Sequence, residues 1–147
     1  MSKRERYKLP IAVFVILVKD KKILAIKRAT TGWMDGFYSI PAGSLDDGEE
    51  VIKAAIRECK EEVGIDVNEK DVRLANVQHC QVEDQRWINF FFVTEKWIGE
   101  PKVCEPHKHS EVKWVKLSEL PENFIPYAKK GLEDFTANKT YFQFGWE

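Results

Sequence analysis

Three glutamates, Glu58, Glu61 and Glu62, stand at positions i, i+3 and i+4 of the run Arg57-Glu58-Cys59-Lys60-Glu61-Glu62. On an α-helix those positions share one face, one turn apart. Solvated carboxylates at that spacing repel one another by roughly 0.2–0.5 kcal/mol per pair. A chain that keeps them together therefore leaves the face in water or neutralises it with a cation. A hard cation such as Mg²⁺ takes oxygen ligands and often shares its coordination sphere with substrate phosphates. Arg57 and Lys60 flank the acids and can pair with either an acid or a phosphate. On these residues alone, a wet mixed-charge helix face is the commoner explanation.

The elements around the acids are legible from periodicity. Val51, Ile52, Ala55, Ile56, Cys59 and Val63 recur at helical spacing and form one apolar stripe. Gly64 falls where a helix end favours a left-handed residue. Asp46 or Asp47 suits the N-cap, and the acids of Asp46 to Glu50 suit the positive end of the helix dipole. These signals predict a helix over roughly Glu49 to Val63. The continuous run Ile11 to Val18 predicts a strand covered on both faces, and Ile23 to Arg28 its hairpin partner across Lys19 to Lys22. Thr30 to Gly36 reads as a loop and Phe37 to Ile40 as a short strand ended by Pro41. Val72 to Gln81 and Trp87 to Trp97 read as long strands around the polar turn Glu83 to Arg86. Glu111 to Val115 alternates as a further strand, and Leu117 to Leu120 reads as a short helical turn. Phe124 to Phe135 carries the period of a last helix, and Tyr141 to Trp146 is an aromatic tail expected to pack on the body. The order predicts an α/β (α+β) domain, a mixed β-sheet with helices on its faces.

The chain of 147 residues suits a single domain, 1–147, with one core. A net charge of −1, with 44% hydrophobic and 32% charged residues, recommends neither a long nucleic acid nor an anionic membrane as partner. A small polyanion held at a local site stays open, as does a monomer or a homodimer. Cys59, Cys80 and Cys104 are an odd, scattered set, expected as reduced thiols of a cytoplasmic protein. The apolar run near the N-terminus is too short to span a bilayer and lacks a cleavage site, so no targeting segment is expected.

From Gly43 the chain reads Gly43-Ser44-Leu45-Asp46-Asp47-Gly48-Glu49, seven further residues, then Arg57-Glu58-Cys59-Lys60-Glu61-Glu62-Val63-Gly64-Ile65. This resembles the Nudix box at every fixed position, with Cys59 at a place usually held by a bulky aliphatic. The similarity extends outward. Lys27-Arg28-Ala29 and Ser39-Ile40-Pro41-Ala42-Gly43 are similar to the lead-in of the MutT-like subgroup, with Ala42 in place of its usual glycine. Trp97-Ile98-Gly99-Glu100-Pro101 is similar to a downstream stretch of the same subgroup, and Glu105 falls where that subgroup places another acid.

The resemblance implies a Nudix-type α/β/α sandwich and water attack on a phosphorus of a diphosphate bridge. It implies Mg²⁺, with Mn²⁺ able to substitute, held by Glu58, Glu61, Glu62, Glu105 and the Ala42 carbonyl. It implies Glu58, Glu61 and Glu62 as catalytic, with Glu58 as general base or orienter of the attacking water. Arg57 is expected to pair with Glu49 and to order the loop and helix, and Gly43 and Gly64 to serve the backbone. Arg28, Trp33 and Tyr127 are the expected substrate contacts. For Arg28 an exposed strand-end charge is an equal alternative.

The subgroup's base-binding asparagine is missing, with Ala128 or Tyr127 in its place, which argues against a fixed preference for oxidised guanine. The tail motif of NADH enzymes, the proline of ADP-ribose enzymes and the tyrosine of diadenosine polyphosphate enzymes are also absent. A nucleoside triphosphate, cleaved to monophosphate and pyrophosphate, is the expected substrate by elimination. Rival readings are a hydrolase of nucleotide sugars or dinucleotides, a non-catalytic nucleotide sensor, and an interaction domain whose acidic helix faces water. Cys104, His107 and His109 with Glu105 have donor types that zinc accepts, but their spacing is not a standard finger. His79 reads as a strand residue, and most of the five tryptophans as packing.

Overall fold

The computed structural model describes residues 4–146. Its elements are β1 (Ile11–Lys19), β2 (Lys22–Arg28), β3 (Tyr38–Ser39), β4 (Ala42–Ser44), α1 (Val51–Val63), β5 (Arg73–Val82), β6 (Gln85–Thr94), β7 (His109–Lys116), α2 (Pro126–Thr136) and β8 (Tyr141–Phe144). Single 3₁₀ turns occupy Glu69–Asp71 and Leu117–Glu119. Among the described residues no helix is long and apolar enough to cross a membrane.

Strand β1 organises the molecule because both of its faces are apolar. Val13, Val15 and Leu17 join Ala54, Ala55, Cys59 and Val63 of α1 in one core. Phe14 and Ile16 point the opposite way and join Phe91, Ala128 and Leu132 in a second core under α2. Period-2 alternation in a strand buried on both sides makes this the α/β/α sandwich, with the mixed sheet between the helices. β1 runs parallel to β6 from Ile11↔Ile88 to Leu17↔Thr94. On its other edge it pairs with β4 at Ala12 to Phe14, and with β2 at the hairpin end. β2 carries β3 and β7, and β6 carries β5 and then β8. The β1–β2 hairpin closes through Asp20 and Lys21 at φ 51° and 65°, the left-handed pair that matches strand twist.

Several element boundaries differ from the sequence expectation for physical reasons. Helix α1 starts at Val51, and its N-cap is Glu50, with no side-chain cap. Neither Asp46 nor Asp47 caps it, because Glu49 holds the preceding turn instead: its Oε1 accepts the Asp46 N–H at 3.1 Å. Helix α2 starts at Pro126, at the first helical position that a missing N–H suits. Phe124 and Ile125 are diverted before it, since Ile125 N–H donates to the Tyr38 carbonyl at 2.8 Å. β5 and β6 extend further toward each other than expected and turn over Glu83 and Asp84 alone, with Val82 paired to Gln85. The short β4 carries no apolar alternation and was not expected. The aromatic tail is a true strand, parallel to β5, with Phe142 buried.

A row of buried amides docks α2 on the sheet. Asn76, Gln78 and Asn89 are fully buried. Asn89 Nδ2 donates to Gln78 Oε1 at 2.6 Å, and Gln78 Nε2 to the Tyr127 carbonyl at 2.9 Å. Asn76 Nδ2 donates to the Gly131 carbonyl at 3.1 Å. Gly131 has no room for a side chain, because a Cβ there would fall against the Phe91 ring. This close approach sets the height of Tyr127 above β6.

Candidate functional site

The spacing of the α1 glutamates places them on the helix face that looks at β4. Glu58 and Glu62 are buried, whereas the Glu61 side chain is about half exposed. Glu62 Oε1 accepts the Ala42 N–H at 2.7 Å, which fixes helix against strand. Gly43 is required by Glu58: a Cβ at position 43 would overlap the Glu58 carboxyl group. The backbone must therefore pass here without a side chain.

Arg57 ties the segment together. Its Nε donates to Glu49 Oε2 at 2.8 Å and its Nη2 to Glu49 Oε1 at 3.1 Å, a two-pronged pairing. Its Nη1 donates to Glu58 Oε1 at 2.8 Å and Glu61 Oε1 at 3.0 Å, and Nη2 reaches the Ser44 carbonyl at 3.0 Å. One guanidinium thus holds the loop, the helix and two acids in register.

Glu105 arrives from a different part of the chain. Gly64 ends α1 in the left-handed conformation at φ 74°, leaving the last helical carbonyls to be satisfied. The Lys102 N–H donates to the Val63 carbonyl at 3.1 Å and the Cys104 N–H to the Glu62 carbonyl at 3.2 Å. The loop is thereby stitched to the helix end. A single turn follows, in which the Lys108 and His109 N–H groups both donate to the Glu105 carbonyl, at 2.8 and 2.9 Å. Glu105 and His109 come to the same side of that turn. Donor atoms of Glu62, Glu105 and His109 all lie within 4.8 Å of one another. Cys104 and His107 are outside that group, so the zinc-like set suggested by the sequence does not form.

The electrostatics follow from burial. Desolvation, ahead of the Glu58 and Glu105 charges, pushes the Glu62 carboxyl well above the usual carboxylate range, against the Ala42 N–H. Glu58 moves the same way, with burial the main cause, Arg57 opposing, and Glu61 and Glu105 adding. Burial, followed by the charges of Arg28, Lys108 and His107, lowers His109 to about 4. Glu62, Glu105 and His109 together offer donor atoms of the kinds that could hold a metal ion.

A cleft of about 690 Å³ opens over these groups, lined by Arg28, Ala42, Ser44, Arg57, the three glutamates of α1 and His109. A second cleft, of about 530 Å³, is lined by Trp33, Ser44, Gln85, Arg86, Trp87 and Tyr127. Ser44 borders both. The first is polar and rich in carboxylates, the second aromatic. Trp87 meets Tyr127 edge-on at 5.5 Å. Burial raises the pKa of the Tyr127 hydroxyl, with Trp33 opposing.

Trp33 and Tyr127 thus lie together in the aromatic cleft. Arg28 borders the polar cleft, but two of its donors are committed to the loop, Nε to the Trp33 carbonyl at 2.7 Å and Nη2 to Thr31 Oγ1 at 3.0 Å. Ala128, the other candidate for the missing asparagine's place, is fully buried on the core face of α2. Trp97 and Trp114 stack at 5.9 Å over the first core. Trp146 latches the tail by donating to the His79 carbonyl at 3.0 Å, with the His79 ring 4.5 Å away. Sequence reasoning missed Trp87 and Arg86 as cleft residues; it grouped His109 with Glu105, but alongside Cys104 and His107 rather than with Glu62. What could have separated His109 from His107 is its i+4 spacing from Glu105, which helps only once that turn is known to form.

The family model of the NUDIX domain matches residues 8–135. The 8-oxo-dGTP diphosphatase of Escherichia coli (strain K12) is 32% identical over 125 residues, covering 84% of this chain and 92% of that one. The ADP-ribose pyrophosphatase of Methanocaldococcus jannaschii is 34% identical over 121 residues, covering 81% and 69%. A crystal structure of a MutT NUDIX hydrolase from Burkholderia pseudomallei superposes with a TM-score of 0.79 at 28% identity, covering 86% of this chain and 98% of that one. With its box segment, carboxylate cleft and sandwich all of that type, the chain belongs to the Nudix hydrolases, as a MutT-like member of that divalent-metal-dependent family.

Proposed function

We propose that this protein is a Mg²⁺-dependent pyrophosphohydrolase that converts a nucleoside triphosphate to a monophosphate and pyrophosphate. The observation that carries this reading is the juxtaposition of two clefts across Ser44, one with the acids and Arg57, the other with Trp33, Trp87 and Tyr127. A nucleotide has the same division, a polyanion at one end and a flat aromatic base at the other. Stacking on an aromatic side chain contributes about 1–3 kcal/mol per base. The Escherichia coli relative, named as an 8-oxo-dGTP diphosphatase, supports the triphosphate class.

The residues fit a hard divalent cation. Glu62 is a buried carboxylate with a backbone N–H as its hydrogen-bond donor, and Glu105 faces it. Glu62, Glu105, Glu61 and the Ala42 carbonyl would hold the cation, Mg²⁺ or in its place Mn²⁺. When bound, it supplies Lewis-acid neutralisation of phosphate charge and lowers the pKa of nearby water. Glu58 accepts the proton of the attacking water as its oxygen bonds to phosphorus and the bridging P–O bond breaks. The Arg57 bond to Glu58 keeps that carboxylate aimed, while the raised pKa keeps it basic enough to take a proton. Trp33 and Tyr127 bind the base, and Arg28 orders the Trp33 loop. Three cysteines without disulfides support a cytoplasmic location.

The Methanocaldococcus jannaschii relative favours a second reading, hydrolysis of a nucleotide sugar such as ADP-ribose. A screen of phosphate and pyrophosphate release over canonical and oxidised nucleoside triphosphates, nucleotide sugars and dinucleotides separates the two. Pyrophosphate from triphosphates is the expected product. No turnover on any of them with Mg²⁺ or Mn²⁺ overturns the enzyme reading in favour of a nucleotide sensor.

A further inference from the structure

His109 has no role in the proposed hydrolysis, yet it sits beside two of the acids, Glu62 and Glu105. It is 4% exposed, and its Nδ1 is buried with no hydrogen-bond partner. Its Nε2 faces Glu62 Oε2 at 3.8 Å, too far for a hydrogen bond. Neither ring nitrogen has a hydrogen bond, and only Nε2, the one facing the acids, is placed for a cation held there to satisfy. The turn that closes on the Glu105 carbonyl brings Glu105 and His109 to one side, opposite Glu62. The three donor atoms are separated by at most 4.8 Å. That span is slightly more than two metal–ligand bonds of about 2.1 Å laid end to end.

We infer that His109 is a nitrogen ligand of the cation held by Glu62 and Glu105, and that this position therefore favours a borderline cation such as Co²⁺ over Mg²⁺. The inference rests on the reading of the acids as a cation site. Mg²⁺ is selected by all-oxygen surroundings, whereas imidazole suits the later first-row metals. A mixed set of two carboxylates and one imidazole shifts the preference toward the latter. A purely structural His109 would leave the ratio of affinities untouched and alter only stability.

The test uses the full chain with metals alone and no nucleotide. Proton NMR of the Co²⁺-loaded protein is expected to show a strongly shifted, exchangeable histidine N–H resonance that His109→Gln abolishes. Calorimetry is expected to show Co²⁺ affinity falling at least about tenfold in His109→Gln, with Mg²⁺ affinity within about twofold of wild type. His107→Gln, which alters a residue on the cleft rim, is expected to keep both the resonance and the affinities. Absence of the resonance from the wild-type protein overturns the inference, as does its survival in His109→Gln or an unchanged ratio of affinities. Should His109→Gln not fold, the wild-type spectrum with ¹⁵N-labelled histidine decides alone. Co²⁺ bound through His109 without nucleotide turnover overturns the proposed function only. Turnover without a histidine ligand overturns this inference only.

Discussion

The acidic cleft and the aromatic cleft share Ser44 but are built in opposite ways. The first draws Arg57 and three acids from one helix, where a periodicity of 3.6 residues fixes their mutual positions before any tertiary contact forms. The second gathers Trp33 from a loop, Trp87 and Arg86 from β6 and Tyr127 from α2, segments that meet only because the sheet and the buried amides hold them. Chemistry written on one element survives drift in the rest of the chain. Recognition spread over several elements depends on each of them keeping its place against the others.

The sharpest break of that comparison is at the acids. Glu61→Gln and Glu62→Gln are each expected to lower Mg²⁺-dependent hydrolysis by about 10²-fold or more, while circular dichroism shows the fold intact. Near wild-type rates in both variants with a proven substrate would falsify the assignment. Gly43→Ala sharpens the same point. Its new Cβ must displace the Glu58 carboxylate, the far end of a flexible side chain, and pull it off Arg57, so the loss in kcat, roughly ten- to a hundredfold, should outweigh the change in Tm. A large drop in Tm with kcat preserved would make Gly43 a folding residue only.

At the other cleft, Trp33→Ala and Tyr127→Ala are expected to raise KM for a nucleotide by about 5- to 100-fold, the worth of one stacked ring. Hydrolysis of inorganic tripolyphosphate, which has no base, should be unchanged. Equal losses on both substrates would show that the two clefts do not divide the work.

The pH dependences are smaller and have opposite signs. Glu62 and Glu58 titrate higher in the folded protein than in the unfolded chain, so folding takes up protons. Their contribution to metal-free stability is complete below the unfolded pKa and is lost as pH rises through the folded one. A cation competes with those protons, so the rise in Tm caused by Mg²⁺ should shrink as the pH falls. A Mg²⁺ shift independent of pH would place the cation away from these carboxylates. His109 is the reverse case, lowered from 6.5 to about 4. Its contribution is present above pH 6.5 and is lost as pH falls toward 4. With chelator present, His109→Gln should therefore flatten the acid limb of the stability profile between those values. An unchanged limb would mean that His109 is not held neutral by its surroundings.

The sequence by itself determined the acidic helix, its stop at Gly64, the two-faced strand β1 and the family, because each is a repeat or spacing within one stretch of chain. It also carried enough of the strand order to imply a sheet between helices. Only the tertiary structure decided where β4 lies, since its three residues show no alternation and exist as a strand through pairing with β1. It alone brought the Glu105–His109 turn to the end of α1, using helix carbonyls whose partners lie some forty residues away. It alone turned Ala128 into the core and Tyr127 into the cleft, because that choice depends on how closely Gly131 lets α2 approach Phe91. Local hydrogen bonding and periodicity can be read in one dimension. The convergence of distant side chains depends on packing distances that no stretch of sequence contains.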